Sequence, residues 1–475
     1  MGESPPLQPI TARQPEPCPP PRLHDPIHVR MAPLSTRPMR RLAPASVSGL
    51  FAPNMRSSYW LSQLVPLAVF AFPITVASVE NAGSSIGLLL LLAGLAFGRQ
   101  WNTLTPREKP VLVGFVVLLI VMALSLVNST NLEFGLQRLE RFVRIAAFVP
   151  IYLMLRRFDV SVGRAFSYGA VVAGFVMAFQ ASYQVATDHK RAIGAYHEII
   201  FGDLAMLVAV LTLLGAVYLA NTRIKQIVFV ASAGAAVYAS VLSGTRGAWI
   251  LLPILGVFLL WLHRARLNRR AWAGVAAAAL LLGFAAASTD TVRIRLERGT
   301  SDLHSFMADP SVKTSWGIRL NLWRNSLLIL KDAPLLGTGL GDFQREMIAM
   351  KKDRRSLNRH VTKFGHAHSI YFDALATSGI LGFTALVIAL FYLPFRYFHR
   401  YWSEAADPAV RFYSLGGMTS LVAFAVFGIS EGWLARNPFV VSYVMCVLVF
   451  MSALANTVVK RRQQWCLTED AAIGN

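Results

Sequence analysis

From about residue 58 to residue 288, and again from about 369 to 456, apolar runs of roughly 16 to 25 residues alternate with short polar turns. Runs of about 18 or more apolar residues with few charges read as helices that cross a bilayer. Spans are expected at roughly 60–79, 83–98, 110–128, 139–155, 162–186, 198–220, 224–242, 247–263, 271–288, 369–394, 411–433 and 437–456. The pattern predicts an all-α, polytopic integral membrane protein with about twelve transmembrane helices. One large, partly helical extramembrane loop, residues 289–368, separates the first nine (58–288) from the last three (369–456). In that loop Leu320, Trp323, Leu327 and Leu330 share one apolar helix face, and Pro334 closes the stretch, so an amphipathic helix is expected to lie against the bundle.

Composition agrees with this picture. The 475 residues are 55% hydrophobic and only 15% charged, and the mean hydropathy is +0.48; both exclude an ordinary soluble enzyme. Residues 1–54 hold 13 of the 24 prolines and no apolar run. Residues 1–57 are therefore expected to be a disordered cytoplasmic tail, with Met31 and Met55 as alternative starts, and 457–475 a second cytoplasmic tail. The three cysteines, Cys18, Cys446 and Cys466, lie in the tails and the last span, which leaves no Cys-based metal cluster.

A net charge of +21 suggests nucleic acid in a soluble protein. Here it follows from the positive-inside rule, since with both termini inside, 25 of the 46 Lys and Arg fall in cytoplasmic segments. Of the remainder, 14 belong to the loop 289–368, and long translocated segments are largely exempt from the rule. The loop's excess of cations over its eight acids should attract anionic lipid headgroups or phosphates. No nucleic-acid partner is expected.

Under this topology several polar groups face the outer side. Ser243-Gly244-Thr245-Arg246-Gly247 joins two spans, although a lone interfacial arginine is ordinarily a snorkelling anchor. Asp188-His189-Lys190-Arg191 leads into His197-Glu198, an unusual density of ionisable groups for one span end. Arg319 and Arg324 lie on the amphipathic helix. Gly337-Thr338-Gly339-Leu340-Gly341 follows, a weak match to a phosphate cradle and more simply a turn. Gly365-His366-Ala367-His368-Ser369 ends the loop, and the His pair lacks a third ligand at metal spacing.

Ionisable residues within spans (Arg141, Arg144, Glu198, Asp203, Glu431) gather toward outer ends. A transporter would instead carry polar groups at the midplane. Several arginines with one histidine suit a reaction in which a pyrophosphate leaves and a hydroxyl attacks. Guanidinium forks neutralise phosphate oxygens, and imidazole accepts the hydroxyl proton at neutral pH. No Asp-x-Asp pair stands in an outer segment to hold a divalent ion, so arginines would carry the leaving-group charge without metal or cofactor.

These residues resemble the O-antigen ligase and polymerase family of bacterial inner-membrane glycosyltransferases. His368, Ser369, nine residues, then Gly379 and Gly382 match the family pattern, as do Ser243-x-x-Arg246-Gly247, Arg319 with Trp323, and the Gly337 turn. The family's Arg followed four residues later by Leu is met at Arg246 only by Ile250, and Arg191 has Ala195 there. The resemblance implies a multi-pass inner-membrane enzyme that transfers O-antigen polysaccharide from undecaprenyl pyrophosphate to lipid A-core, inverting and metal-independent, at the periplasmic face. It implies His368, Arg246 and Arg319 as catalytic residues, His368 as general base or acceptor-orienting group; Arg191, by its location and local charge, and His366, Arg324, Ser369 and Gly339 are candidates for binding substrate. Lys351, Lys352, Arg354, Arg355, Arg359 and Lys363 are candidates for contact with acceptor phosphates or headgroups. The same features fit a polymerase of this family, a protein-directed oligosaccharyltransferase or, from another class, a glycolipid transporter.

Overall fold

The computed structural model describes residues 55–98, 101–157, 162–187, 190–263, 290–309, 311 and 313–473. The expected N-terminal tail (1–54) and the span expected at 271–288 lie outside the described residues. The site lies wholly within one compact unit, Arg56–Val458.

Every regular element among the described residues is helical. In chain order the α-helices are α1 (Met55–Thr75), α2 (Ala82–Phe97), α3 (Lys109–Leu124), α4 (Leu132–Ala147), α5 (Val149–Arg157), α6 (Val162–Ala186), α7 (Glu198–Tyr218), α8 (Arg223–Ser243) and α9 (Arg246–His263). They continue with α10 (Asp290–Ala308), α11 (Ser315–Asp332), α12 (Phe343–Lys352), α13 (Ile370–Leu386), α14 (Leu393–Glu404), α15 (Pro408–Ser430) and α16 (Asn437–Ile473). A π-helical stretch, Val387–Tyr392, joins α13 to α14. Local capping accounts for several starts: Thr222, Thr314 and Asp407 accept backbone N–H groups of the first turns of α8, α11 and α15.

Among the described residues seven stretches are long and apolar enough to cross a bilayer: Lys109–Asn128, Val162–Ala186, Glu198–Tyr218, Arg223–Ser243, Ile370–Glu404, Pro408–Ser430 and Asn437–Arg461. Three shorter apolar helices, Ser62–Thr75, Ala82–Phe97 and Gly247–His263, coincide with three further expected spans. The span expected at 139–155 differs. Its chain is two helices, α4 and α5, meeting at Phe148, and Arg138, Arg141 and Arg144 recur every third residue along α4. That spacing makes α4 amphipathic, which the apolar count alone had concealed.

The bundle has an inside and an outside. The apolar windows of α7, α15 and α16 are 89%, 83% and 100% buried, against 39% for α3 and α8. α8 packs on α6 and α7, while α15 packs on α7, α9 and α14. Outer helices leave leucine, isoleucine and valine exposed, as chains facing lipid do; α15 and α16 interlock through residues such as Phe424, Trp433 and Tyr443.

Helices α10–α12 fall between the two groups of apolar helices. The amphipathic helix forms as α11, but its buried face is not the expected one. Gly317, Asn321, Leu322, Asn325, Ser326 and Ile329 are buried, whereas Leu327 is exposed and Leu320, Trp323 and Leu330 are half-buried. Its small and amide side chains admit close packing on α13 and α12, around a separate core of Leu322, Ile329, Phe343, Met347 and Val361.

The Gly337 turn and α13 clasp each other. Gly379 takes φ +63° and ψ −163°, breaking the helix, and the freed N–H groups of Ile380 and Leu381 donate to the carbonyls of Pro334 and Leu335. In return Thr338 and Gly339 N–H donate to Ala376 and Thr377 carbonyls. A Cβ at Gly379 would stand 2.3 Å from the Leu335 carbonyl oxygen, so the crossing requires glycine.

Candidate functional site

The His366–Ser369 loop ends on Ser369, the N-cap of α13, whose buried hydroxyl donates to the Gly428 carbonyl (3.1 Å) of α15. Four further contacts hold the loop. Arg138 of α4 donates to the Gly365 carbonyl (2.5 Å), and Trp323 of α11 donates its indole N–H to the Ala367 carbonyl (3.2 Å). The Ala367 N–H reaches Asp373 Oδ1 (3.1 Å), and the His368 N–H reaches His366 Nδ1 (3.1 Å). Trp323 also stacks on Phe372 with centroids 5.0 Å apart.

His368 sits at φ +50°, a left-handed conformation that costs a residue with a Cβ about 1–3 kcal/mol and so needs over-determination by its surroundings. Its side chain is 20% exposed, and its Nδ1 faces Glu431 Oε2 at 3.8 Å, an ion-pair distance beyond hydrogen-bond reach. The ring lies edge-on to Phe364 (5.0 Å) and His366 (4.5 Å).

Glu431, the C-cap of α15, is buried, with Arg436 Nε 3.8 Å from its other oxygen. Burial favours its neutral form, but His368, His366 and Arg436 outweigh burial and hold the carboxyl below the ordinary carboxylate range. Asp203, buried in α7, stands within electrostatic range of it. His366 is held in its neutral form: burial, aided by His368 and Arg138 and opposed by Asp373 and Glu431, pushes its imidazole down to about 4.

The turn Ser430–Glu431 gathers the motifs. Arg319 Nε donates to the Ser430 carbonyl (3.2 Å), with an Nη on Ser315 Oγ (2.7 Å). A Cβ at Gly247 would lie 3.1 Å from Ser430 Oγ, which brings the start of α9 to the same turn. Arg246 opens that helix, and its side chain is outside the described set. The Ser243 turn is seated on α7: Gly244 is left-handed at φ +65°, and Thr245 Oγ1 donates to the Glu198 carbonyl at 2.7 Å. His368, Arg319 and the Arg246 backbone are thus brought to one turn of α15.

Other candidates are engaged elsewhere. Arg191 pairs with Glu198 at 3.3 Å. Arg324 is exposed and donates to the Arg355 carbonyl (3.1 Å). Gly339, at φ +102°, presses against Ser129, where a Cβ would stand 2.4 Å from the backbone nitrogen. Within the basic run Arg355 pairs with Asp332 at 2.7 Å. Among the described residues no group of three or more His, Cys, Asp or Glu stands close enough to hold a metal ion.

Sequence reasoning had not assigned Glu431, Arg138, Asp373 or Arg436. Glu431 and two α4 arginines, Arg141 and Arg144, were visible as ionisable groups at expected outer span ends, Arg138 was not, and nothing in the sequence linked them to His368.

Two comparisons bear on this geometry. The chain is 22% identical over 405 residues, covering 82% of it and 98% of the other, to an uncharacterized protein of Haemophilus influenzae (strain ATCC 51907 / DSM 11121 / KW20 / Rd). Residues 231–387 match a family model described as O-antigen ligase. The matched segment contains the Ser243 turn, Arg319, the Gly337 clasp and His368 through Gly382; Arg191 and Glu431 lie outside it. The motifs and the family model agree: residues 231–387 are similar to the O-antigen ligase family.

Proposed function

We propose that this chain is an O-antigen ligase of the bacterial inner membrane, with about twelve spans and the 289–368 loop in the periplasm. It moves O-antigen polysaccharide from undecaprenyl pyrophosphate to a sugar hydroxyl of lipid A-core, both lipids reaching the site laterally. The observation that carries this reading is the meeting of His368, Glu431 and Arg319 around Ser430, beside the start of α9.

In this reading the Nε2 of His368 takes the acceptor proton while Glu431 faces Nδ1 and stabilises the imidazolium that forms. The acceptor oxygen bonds to the anomeric carbon as the bond from that carbon to the pyrophosphate oxygen breaks, which inverts the centre. Arg246 and Arg319 receive the departing diphosphate charge, for which a planar fork suits better than a point charge. The sugar-pyrophosphate bond supplies the free energy, so no nucleotide or cofactor enters.

The test is a strain deleted for this gene, read by lipopolysaccharide gel together with its carrier-linked polysaccharide. Loss of the ladder with long chains held on the carrier lipid is the ligase outcome. Core bearing a single repeat would instead make the protein a polymerase, and an unchanged ladder would reject both.

A further inference from the structure

We propose that His366 is a positioning residue: by accepting the His368 N–H at its Nδ1, it holds His368 in the left-handed conformation from which the His368 ring faces Glu431. The inference rests on the role proposed above for His368. The other clamps act on its neighbours. Arg138 binds Gly365, Trp323 and Asp373 bind Ala367, and Ser369 binds Gly428. The bond from His366 is made to the N–H of His368 itself, at the N–Cα bond about which the unusual φ turns.

The arrangement copies a common local device in an unusual residue. Asn and Asp side-chain oxygens accept the N–H two residues on and so stabilise tight turns; here a ring nitrogen does so at 3.1 Å. The ring is seated from two sides, edge-on to His368 at 4.5 Å and against Gly432, where a Cβ would lie 3.0 Å from His366 Nδ1. The groups that act on it are Asp373 of α13, Glu431 at the end of α15, Arg138 of α4 and His368. Burial outweighs the two acids, so Nδ1 stays unprotonated and able to accept. A proton there would turn the acceptor into a donor facing another donor, and the loop would lose this clamp.

The sign of the linkage follows. With an ordinary value of 6.5 and a value of about 4 in the folded protein, the unfolded chain binds this proton first. Stability from this group is full above about pH 6.5 and is lost as pH falls toward 4.

The experiment uses the full chain in lipid nanodiscs, a carrier-linked polysaccharide donor and a lipid A-core acceptor, and compares His366→Asn, His366→Leu and His368→Ala. Asn carries an acceptor to nearly the same place and does not titrate; Leu carries none. The expected result is that His366→Asn keeps kcat within about threefold, while His366→Leu loses about 100-fold in kcat with little change in KM, the scale of a misplaced catalytic group. Between about pH 6.5 and 4 the wild type should lose more Tm than His366→Asn does. Equal kcat loss in both His366 variants, a loss confined to KM, or identical acid slopes of Tm in wild type and His366→Asn would overturn the inference. Should His366→Leu fail to fold, the kcat and acid slope of His366→Asn still decide. Full activity in His368→Ala would instead reject the proposed base, a distinguishable failure.

Discussion

Two polar turns with similar credentials in the sequence come to differ in the folded chain. The Lys190–Glu198 turn and the Gly365–Ser369 loop each lead into an apolar helix, and each combines histidine with a facing carboxylate. In the first turn the charged and amide side chains find their partners close in the chain, while the backbone N–H groups of Ala192 and Ala195 donate to the Leu242 and Ala77 carbonyls. Gln184 Oε1 accepts the N–H groups of Ile193 and Gly194, His197 caps its own helix, and Arg191 is answered by Glu198 at 3.3 Å and half exposed. In the second the bonds come from α4, α11, α13 and α15, and the facing carboxylate belongs to another helix end. In the first turn the ionisable side chains are oriented by their own neighbours in sequence. A loop tied by four separate helices can hold a strained residue in one orientation, which is what positioned chemistry requires.

The widest separation between the two turns is expected from His368→Ala. Transfer should fall by about 10²- to 10⁴-fold with membrane insertion and Tm preserved, measured with purified donor and acceptor. Retained activity would remove the histidine loop from the chemistry.

Next in size is Gly379→Ala, which tests the clasp beneath the loop. The residue stands at φ +63° with a Cβ 2.3 Å from the Leu335 carbonyl oxygen, so a loss of about 2–4 kcal/mol is expected, read as a lower Tm in detergent. An unchanged Tm would show that the Pro334–Leu335 crossing yields easily.

Glu431→Gln keeps the shape opposite His368 and removes the charge. A fall in kcat of about tenfold with KM nearly constant is expected if the carboxylate supports a transient imidazolium. A change in KM alone would assign Glu431 to substrate contact. The smallest effect belongs to Arg191→Ala, because a partly exposed ion pair contributes only about 0–1 kcal/mol to stability. Transfer reduced as severely as by Arg319→Ala would erase the contrast and return Arg191 to the site.

The positions of most apolar helices could be read along the chain because burial in lipid or in a bundle core imposes the same long runs. The 139–155 stretch could not, since arginines every third residue fall on one side only after the helix is wound and then broken at Phe148. The face of α11 was misread for a related reason. Close packing on α12 and α13 favours Gly317, Asn321, Asn325 and Ser326 over larger apolar neighbours, a preference invisible to hydropathy.

What the sequence by itself determined is the all-helical, membrane-spanning character of the chain, the family that its 231–387 segment matches, and His368 with Arg246 and Arg319 as candidates. Those follow from composition, periodicity and local spacing, which any reading of the chain in order preserves. What only the tertiary structure decided is the company these residues keep: Glu431 opposite His368, Ser430 between Arg319 and Gly247, and His366 turned inward to hold its neighbour. Such pairs are made by helix ends that meet in space, and distance along the chain carries no record of which ends those will be.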